Sequence, residues 1–454
     1  MFSNIPKKQL LIVSGDIILI LVSFYLAPVI RFGIILNPFY VFELSDISAI
    51  IIYLLTFYVF DFYNLEEVKN GRYFINFLIA TAIASLLISS LYYIFHVRPG
   101  TQILFLSSLL ICASLLGWRY CLEGFSQYSG RPRRILIIGA GQAGNSLYET
   151  LMTNKGYEIV GFLDDDEKKW GMSLGNTSVI GGSTILSSLL KKLRVDIVII
   201  AISRLNQPDI YKKLVEAKFN GVAVYEVPSF YEIIFHRIPV LHTNEMWLGY
   251  ADIYGVKHNL YNFKLKKIID KAIAMSGLIL AAPLIIVVAL LIKIDSRGPV
   301  FYKQQRVGFN GFAFNLVKFR SMKIYSEVNG AVWAQENDPR ITRIGQLIRL
   351  FRIDELPQLW NVLKGELSLI GPRPERPEFV ESLTQEIPYY SLRHSVKPGI
   401  TGWAQINYPY GASKKDALEK LQYDLYYIKN MTFLLDLYIL LRTIRTVLFG
   451  EGAR

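Results

Sequence analysis

Cysteine is nearly absent. Cys112 and Cys121 are the only two in 454 residues, and five histidines are scattered through the chain. Nothing in that set has the spacing of a zinc site or a disulfide framework, and a reducing compartment is the plain reading. Charge is scarce as well, at 19% of residues against 52% apolar. The scarcity is local: uncharged runs of near-membrane length alternate with basic flanks, as in a chain that meets lipid. No small-residue cleavage site follows the first apolar run, so Lys7 and Lys8 introduce a retained anchor and not a signal peptide. Basic residues interleaved with aromatics, the mark of a nucleic-acid surface, are missing, so no nucleic-acid partner is expected. Internal repeats and low-complexity tracts are missing too.

What remains is basic. The net charge is +12, and the lysines and arginines gather beside the apolar runs. That favours membrane lipid and phosphorylated ligands as partners. The length suggests about three domains. Four spans are expected at 10–30, 47–63, 74–95 and 103–117, forming a transmembrane bundle over 1–125. Lys7 and Lys8, then Lys69 and Arg72, then Arg119, Arg131, Arg133 and Arg134 flank one side, while the alternate loops carry only Arg31 and Arg98. Both ends of the bundle are therefore expected in the cytoplasm. Asp16 lies inside the first span; it is either a functional intramembrane acid or one that reaches an interfacial partner.

Residues 131–228 read as α/β. A strand at 134–138 runs into Gly139-Ala-Gly141-Gln-Ala-Gly144, which opens a helix, and a second strand at 158–163 ends at Asp164. Further strands at 195–201 and 222–227 flank a helix at 208–218, a pattern that implies a parallel sheet with helices on its faces. Gly139, Gly141, Gly144 and Asp164 meet the dinucleotide fingerprint in context and are candidate nucleotide-binding residues. The Tyr-x-x-x-Lys spacing used by sugar-nucleotide dehydrogenases occurs only at Tyr410 and Lys414, in another domain. Non-redox nucleotide binding or scaffolding is therefore favoured over dehydrogenase chemistry. Residues 229–261 read as a linker.

The last domain, 262–454, contains a fifth apolar run with Pro283 in its middle and basic residues on both flanks. Proline removes a helix hydrogen bond and disturbs the preceding turn. Matching basic flanks place both ends on the cytoplasmic side. A re-entrant helix over 268–294 that breaks at Pro283 satisfies both facts; an ordinary proline-kinked span is the alternative. Beyond it, adjacent carboxylates at Asp354 and Glu355 follow an amphipathic stretch, with Lys318, Arg320, Arg349, Arg352 and Arg373 as nearby-in-sequence cations. A carboxylate is a competent nucleophile toward phosphorus when positioned cations neutralise the phosphates. Mg²⁺ suits such oxygen ligands. Taken alone, the Asp-Glu pair is a weak signal, and a solvated helix start is the favoured reading of it.

The ordered motifs decide between these readings. They are Lys266-Lys267-Ile-Ile-Asp270, Gln305-Arg306-Val-Gly308, Lys318-Phe-Arg320-Ser-Met322, Asp354-Glu355-Leu-Pro-Gln-Leu-Trp-Asn-Val-Leu-Lys-Gly365, Ser368-Leu-Ile-Gly-Pro372-Arg373-Pro374, and Arg393 to Val396 followed by Lys397-Pro-Gly-Ile-Thr-Gly-Trp-Ala-Gln405. Together they resemble the catalytic domain of the monotopic phosphoglycosyl transferases, the polyprenyl-phosphate hexose-1-phosphate transferases. The four spans and the α/β block resemble the large members, whose modified Rossmann domain the resemblance gives a regulatory role.

The resemblance implies that Asp354 attacks a UDP-sugar, galactose or glucose favoured, expels UMP and passes the phosphosugar to undecaprenyl phosphate. It makes Glu355 the second catalytic carboxylate and Asp354 a Mg²⁺ ligand. It places Arg349 on phosphate and Pro372-Arg373-Pro374 on the nucleotide, with Lys318, Arg320 and Arg306 as further substrate contacts. It gives Lys267, Asp270 and Pro283 structural roles in the re-entrant helix. The expected product starts exopolysaccharide, capsule or O-antigen synthesis at the bacterial inner membrane, and a homo-oligomer stays open. One departure is Ala282-Pro283 where the family has Ser-Pro. The rival readings are a membrane-tethered NAD-dependent sugar-nucleotide epimerase or dehydratase, and a non-enzymatic scaffold for polysaccharide assembly.

Overall fold

The computed structural model describes residues 7–33, 44–60, 62–63, 71–94, 101–127, 131–152, 156–202, 208–243, 245–257, 260–323, 340–409, 411 and 413–448. Lys69, Arg98 and Tyr410 lie outside them. The chain divides into two units, Met1–Gly130 and Arg131–Arg454.

Among the described residues the first unit holds four helices: α1 (Lys7–Phe32), α2 (Leu44–Val59), α3 (Gly71–Ile94) and α4 (Thr101–Gln127). α1, α3 and α4 are long and apolar enough to cross a membrane; α2 is apolar but shorter. The second span was expected to run to residue 63. It stops at Val59 because the chain turns there, with the Phe62 amide donating to Phe57 O at 3.0 Å. Phe62 then packs edge-on against Phe57 and Phe77, inside a core with Ile20, Tyr53 and Ile111. Leu86, Leu87 and Phe105 stay exposed, as surfaces bound for lipid do. Three hydroxyls face inward together. Tyr53, Ser85 and Ser108 join hydroxyls at 2.8–3.2 Å.

Asp16 has a partner. It accepts a 2.7 Å bond from Arg119 on α4, and both side chains are fully buried. The acid of the first span is thus one half of a buried ion pair, and Gly15 beside it leaves room for the Trp118 ring, which a Cβ would meet at 2.5 Å. Removing one partner of such a pair strands the other charge.

The second unit begins with β1 (Arg133–Ile138), α5 (Gln142–Met152), β2 (Tyr157–Leu163), β3 (Ser173–Leu174), β4 (Thr177–Gly181), α6 (Leu186–Lys192), β5 (Ile197–Ile200), α7 (Pro208–Phe219), β6 (Ala223–Glu226) and α8 (Val227–Phe235). The strands form one sheet in the order β3-β4-β2-β1-β5-β6, parallel except at β3. Successive residues of β1 feed opposite cores: Ile135 and Ile137 on one face, Leu136 and Ile138 on the other. A strand buried on both sides is what a near-continuous apolar run encodes.

The elements that frame the site are α9 (Lys266–Asp295), the hairpin β7 (Phe301–Val307) and β8 (Ala313–Phe319), α10 (Arg343–Leu350), α11 (Gln358–Lys364), a parallel pair β9 (Ser368–Ile370) and β10 (Gly399–Thr401), α12 (Lys414–Asn430) and α13 (Phe433–Leu448). Ile238 and Val240, from the segment expected to be a linker, enter this part's core beside Val362, Leu421 and Ile428.

α9 departs from expectation. It is one helix of 30 residues with Pro283 inside it, not two halves broken at the proline. The proline removes one backbone bond, and the helix on either side keeps its own. Both ends of α9 are nevertheless rooted in the same domain. At the start, Lys266 pairs with Asp436 at 2.6 Å, Ser368 donates to Asp270 at 2.6 Å, and Ala274 joins the main core. At the far end, Val288 and Ile292 pack on Phe319 and Ile348, and Asp295 accepts the Ile344 amide at 3.2 Å. Between these roots Ile279, Leu280, Ile286 and Leu290 are exposed. The buried lysine is Lys266; Lys267, the one expected to matter, is exposed.

Asp16→Ala should destabilise the bundle by about 3–5 kcal/mol, and Asp16→Ala/Arg119→Ala should recover part of that loss. Resistance of the detergent-solubilised chain to unfolding measures both.

Candidate active site

The carboxylates sit in a tight turn. α10 is capped by Thr342, whose hydroxyl accepts the Gly345 amide at 3.0 Å, and it ends just before Arg352. Arg352 takes a left-handed conformation (φ 52°), which costs a non-glycine residue about 1–2 kcal/mol. That reversal throws Ile353–Glu355 into a single turn ahead of α11, which Gly365 closes in the left-handed region (φ 83°). The strain lies directly before the two acids, where a working site stores it.

Glu355 and Asp354 then meet different fates. Glu355 Oε1 accepts the Arg373 guanidinium at 2.7 Å and the Lys318 ammonium at 3.2 Å. Burial alone would raise its carboxyl, but these two cations override that and hold it well below the usual range. Asp354 makes no side-chain hydrogen bond or ion pair to any described residue. Burial lifts its carboxyl above 3.8; Lys318 opposes this, the charge of Glu355 adds to it, and Arg349 and Arg373 pull it back in part. Lys318 is itself pushed down by burial, with Glu355 supporting its charge and Arg373 opposing it. One carboxylate is locked. Its neighbour is half-buried and has no such partner among the described residues.

The expected residues divide accordingly. Lys318, Arg349 and Arg373 converge on the two acids. Arg306 stands behind them, donating to Pro374 O at 3.1 Å and to Gln304 at 2.7 Å, so it holds the Pro372–Pro374 loop. Pro372 O accepts the Gly399 amide at 2.9 Å. Arg320 does not reach the site. Its buried guanidinium donates to Ser296 O at 2.7 Å and Arg297 O at 2.9 Å, tying down the end of α9. Arg393 had been named only as part of a motif. It is buried, and it holds Arg373 O at 3.0 Å while paired with Asp424 at 2.7 Å. An arginine in a basic chain gives no sign in sequence that it is interior.

No group of three or more His, Cys, Asp or Glu side chains gathers among the described residues. An ion that keeps one or two carboxylates and takes its other ligands from water and phosphate needs no such group, and Asp354 could supply the carboxylate. The glycine loop is occupied from within: Asp164 accepts the Ala140 amide at 2.9 Å, the Asp166 amide at 3.0 Å and Lys169 at 2.8 Å. Burial would raise that carboxyl, but Lys169 and the two amides hold it low. The acid named as a candidate nucleotide-binding residue is bonded to its own loop.

Beside the dyad lies a cavity of about 350 Å³. Its lining includes Glu355 and Arg352 together with Leu284 of α9, Ile400, Gln405 and Thr443, and it is mostly apolar.

Residues 261–450 match the family model for bacterial sugar transferases, and residues 134–211 match that for the PglD N-terminal domain. An Aeromonas hydrophila UDP-N-acetylgalactosamine-undecaprenyl-phosphate N-acetylgalactosaminephosphotransferase is 45% identical over 51% of this chain, a match that takes in 54% of that relative. An undecaprenyl-phosphate glucose phosphotransferase of Komagataeibacter xylinus is 34% identical over 79% of this chain and 67% of its own length. A Klebsiella pneumoniae UDP-glucose:undecaprenyl-phosphate glucose-1-phosphate transferase is 32% identical, covering 74% of this chain and 73% of its own.

The depressed carboxyl of Glu355 has a consequence for stability. Its contribution is complete above the unfolded value of 4.5 and is lost as pH falls below it toward the folded value. Arg373→Ala should therefore lower the thermal midpoint at pH 7 and shrink the further drop between pH 5 and about pH 3. Melting curves across that interval check both effects.

Proposed function

We propose, because this chain belongs to the bacterial sugar transferase family, that it moves a sugar 1-phosphate from a UDP-sugar to undecaprenyl phosphate and releases UMP. The observation that carries this reading is the inequality of the dyad: Glu355 is clamped by two cations, and Asp354 lies beside them with no hydrogen bond or ion pair among the described residues.

Asp354 attacks the sugar-linked phosphorus. The new P–O bond joins its carboxylate to that phosphorus as the bridging P–O bond breaks, and UMP leaves with the bridging oxygen and the electron pair. A phosphate oxygen of the lipid then attacks the same phosphorus, the carboxylate departs, and the product is the diphosphate-linked lipid sugar. Lys318, Arg349 and Arg373 neutralise charge on the phosphates throughout. Mg²⁺, held by Asp354 and the substrate's own oxygens, would supply further neutralisation when bound. Glu355 stays ionised under its two cations, so its part is to hold Lys318 and Arg373 in position and not to deliver a proton.

Two features support a lipid acceptor. The apolar cavity opens beside Glu355 and is lined by Leu284, from a helix apolar enough to enter a membrane. The two roots of α9 lie on one domain, which fits a helix that dips into one leaflet and keeps the dyad at its surface. With the basic flanks, that leaflet is the inner one of the bacterial cytoplasmic membrane. Glucose and N-acetylgalactosamine both occur in the names of the relatives, so either UDP-sugar, or UDP-galactose, is a fitting donor. The product would initiate a surface polysaccharide.

The test is UMP release from a panel of UDP-sugars with undecaprenyl phosphate and Mg²⁺. Asp354→Asn should lower the rate by about a thousandfold or more. Nicotinamide dependence with an altered sugar and no UMP would instead favour an epimerase. A rate unchanged in Asp354→Asn would remove the nucleophile from this account.

A further inference from the structure

The α/β block is wired to the active site through one helix. α8 belongs to the sheet: Val227, Phe230 and Tyr231 lie in the core with Ile135 and Ile137. Tyr231 also shares a 3.0 Å hydroxyl bond with Thr150 of α5, the helix that the glycine loop opens. The other side of α8 grips α12. Glu232 accepts Lys429 at 2.6 and 2.8 Å and Asn430 at 2.9 Å. Two residues past α8, Arg237 stacks on the Tyr231 ring at 5.5 Å and pairs with Glu419 at 2.6 Å. His236 O between them accepts the Trp403 indole at 2.9 Å.

Glu419 and Lys429 lie on the same 17-residue helix as Asp424. Asp424 is 1% exposed and holds Arg393, whose guanidinium holds Arg373 O, and Arg373 clamps Glu355. A helix of this length moves as a body, so its anchorage at 419 and 429 sets where 424 stands. The links are directional bonds between largely buried partners, and such bonds tolerate little displacement.

We propose that Glu232 and Arg237 are positioning residues for the transfer reaction. Through α12 and the Asp424–Arg393 pair they fix the backbone of Arg373, and so the charge that Glu355 and Asp354 meet. The α/β block is then part of the catalytic machinery by support and not by binding a nicotinamide. The kinetic side of this inference rests on the transferase reading; its structural side does not.

The experiment compares the full-length chain with Glu232→Gln and Glu232→Asp. In Glu232→Gln the donor KM should rise roughly two- to thirtyfold, with kcat changed less. Because Arg373 lowers both carboxyls, the acid limb of kcat/KM should move to higher pH. Glu232→Asp, which keeps the charge, should restore much of both. Combined with Asp424→Asn, the effect should fall short of the sum of the single changes, as for two members of one network.

Hydrogen exchange supplies the readout that needs no activity. The amides of Val307, Gly371 and Gly399 bond to Glu375, Thr401 and Pro372 around the Arg373 loop, and they should exchange faster in Glu232→Gln. Wild-type KM, acid limb and exchange at those amides, with loosening confined to α8 and α12, would overturn the proposal. If the wild-type chain itself released no UMP, the transferase reading would fall, and exchange alone would decide this inference.

Discussion

Two cations on one carboxylate organise the site. Lys318 and Arg373 are spent on Glu355, which leaves Asp354 beside them, buried enough to be poorly solvated and bonded to nothing described. Were the cations absent, two adjacent acids could not both stay ionised. The rest of the domain serves this arrangement. Arg306 and Arg393 hold the loop that carries Arg373, and Arg320 holds the end of α9 against the strand that carries Lys318.

A second constraint comes from solvent. A nucleotide sugar is soluble and a polyprenyl phosphate is not, so one carboxylate must be reachable from both phases. The geometry of α9 answers this. Its ends are rooted by Asp436, Ser368 and the Ile344 amide in a single domain, while its middle exposes Ile279, Leu280 and Ile286. The cavity beside Glu355 takes part of its wall from that same helix.

Much of this was legible in the residues, and what was not shares a cause. The parallel sheet was written in unbroken apolar runs such as 135–138. The dyad was written in ordered motifs, because carboxylates, arginines and prolines at fixed spacing are local information. Burial is not local. Nothing in Lys266-Lys267 tells which lysine turns inward, and nothing separates Arg320, a structural tie, from Arg373, a clamp. Asp16 was visible as an acid in a span, yet its partner lies 103 positions away on another helix. The glycine loop read as a nucleotide site, and its acid proved to be bonded to the loop itself. In each case the residue type was right and tertiary contact chose its use. The second span shows the same limit in length: the turn after Val59, which brings Phe62 back onto Phe57, is a tertiary feature.

The most direct measurement is the mass of the protein after incubation with a UDP-sugar and Mg²⁺ in the absence of lipid acceptor. The account predicts an adduct of one phosphosugar on the peptide containing Asp354, discharged when undecaprenyl phosphate is added. UMP release with no adduct, or an adduct on another residue, would contradict it.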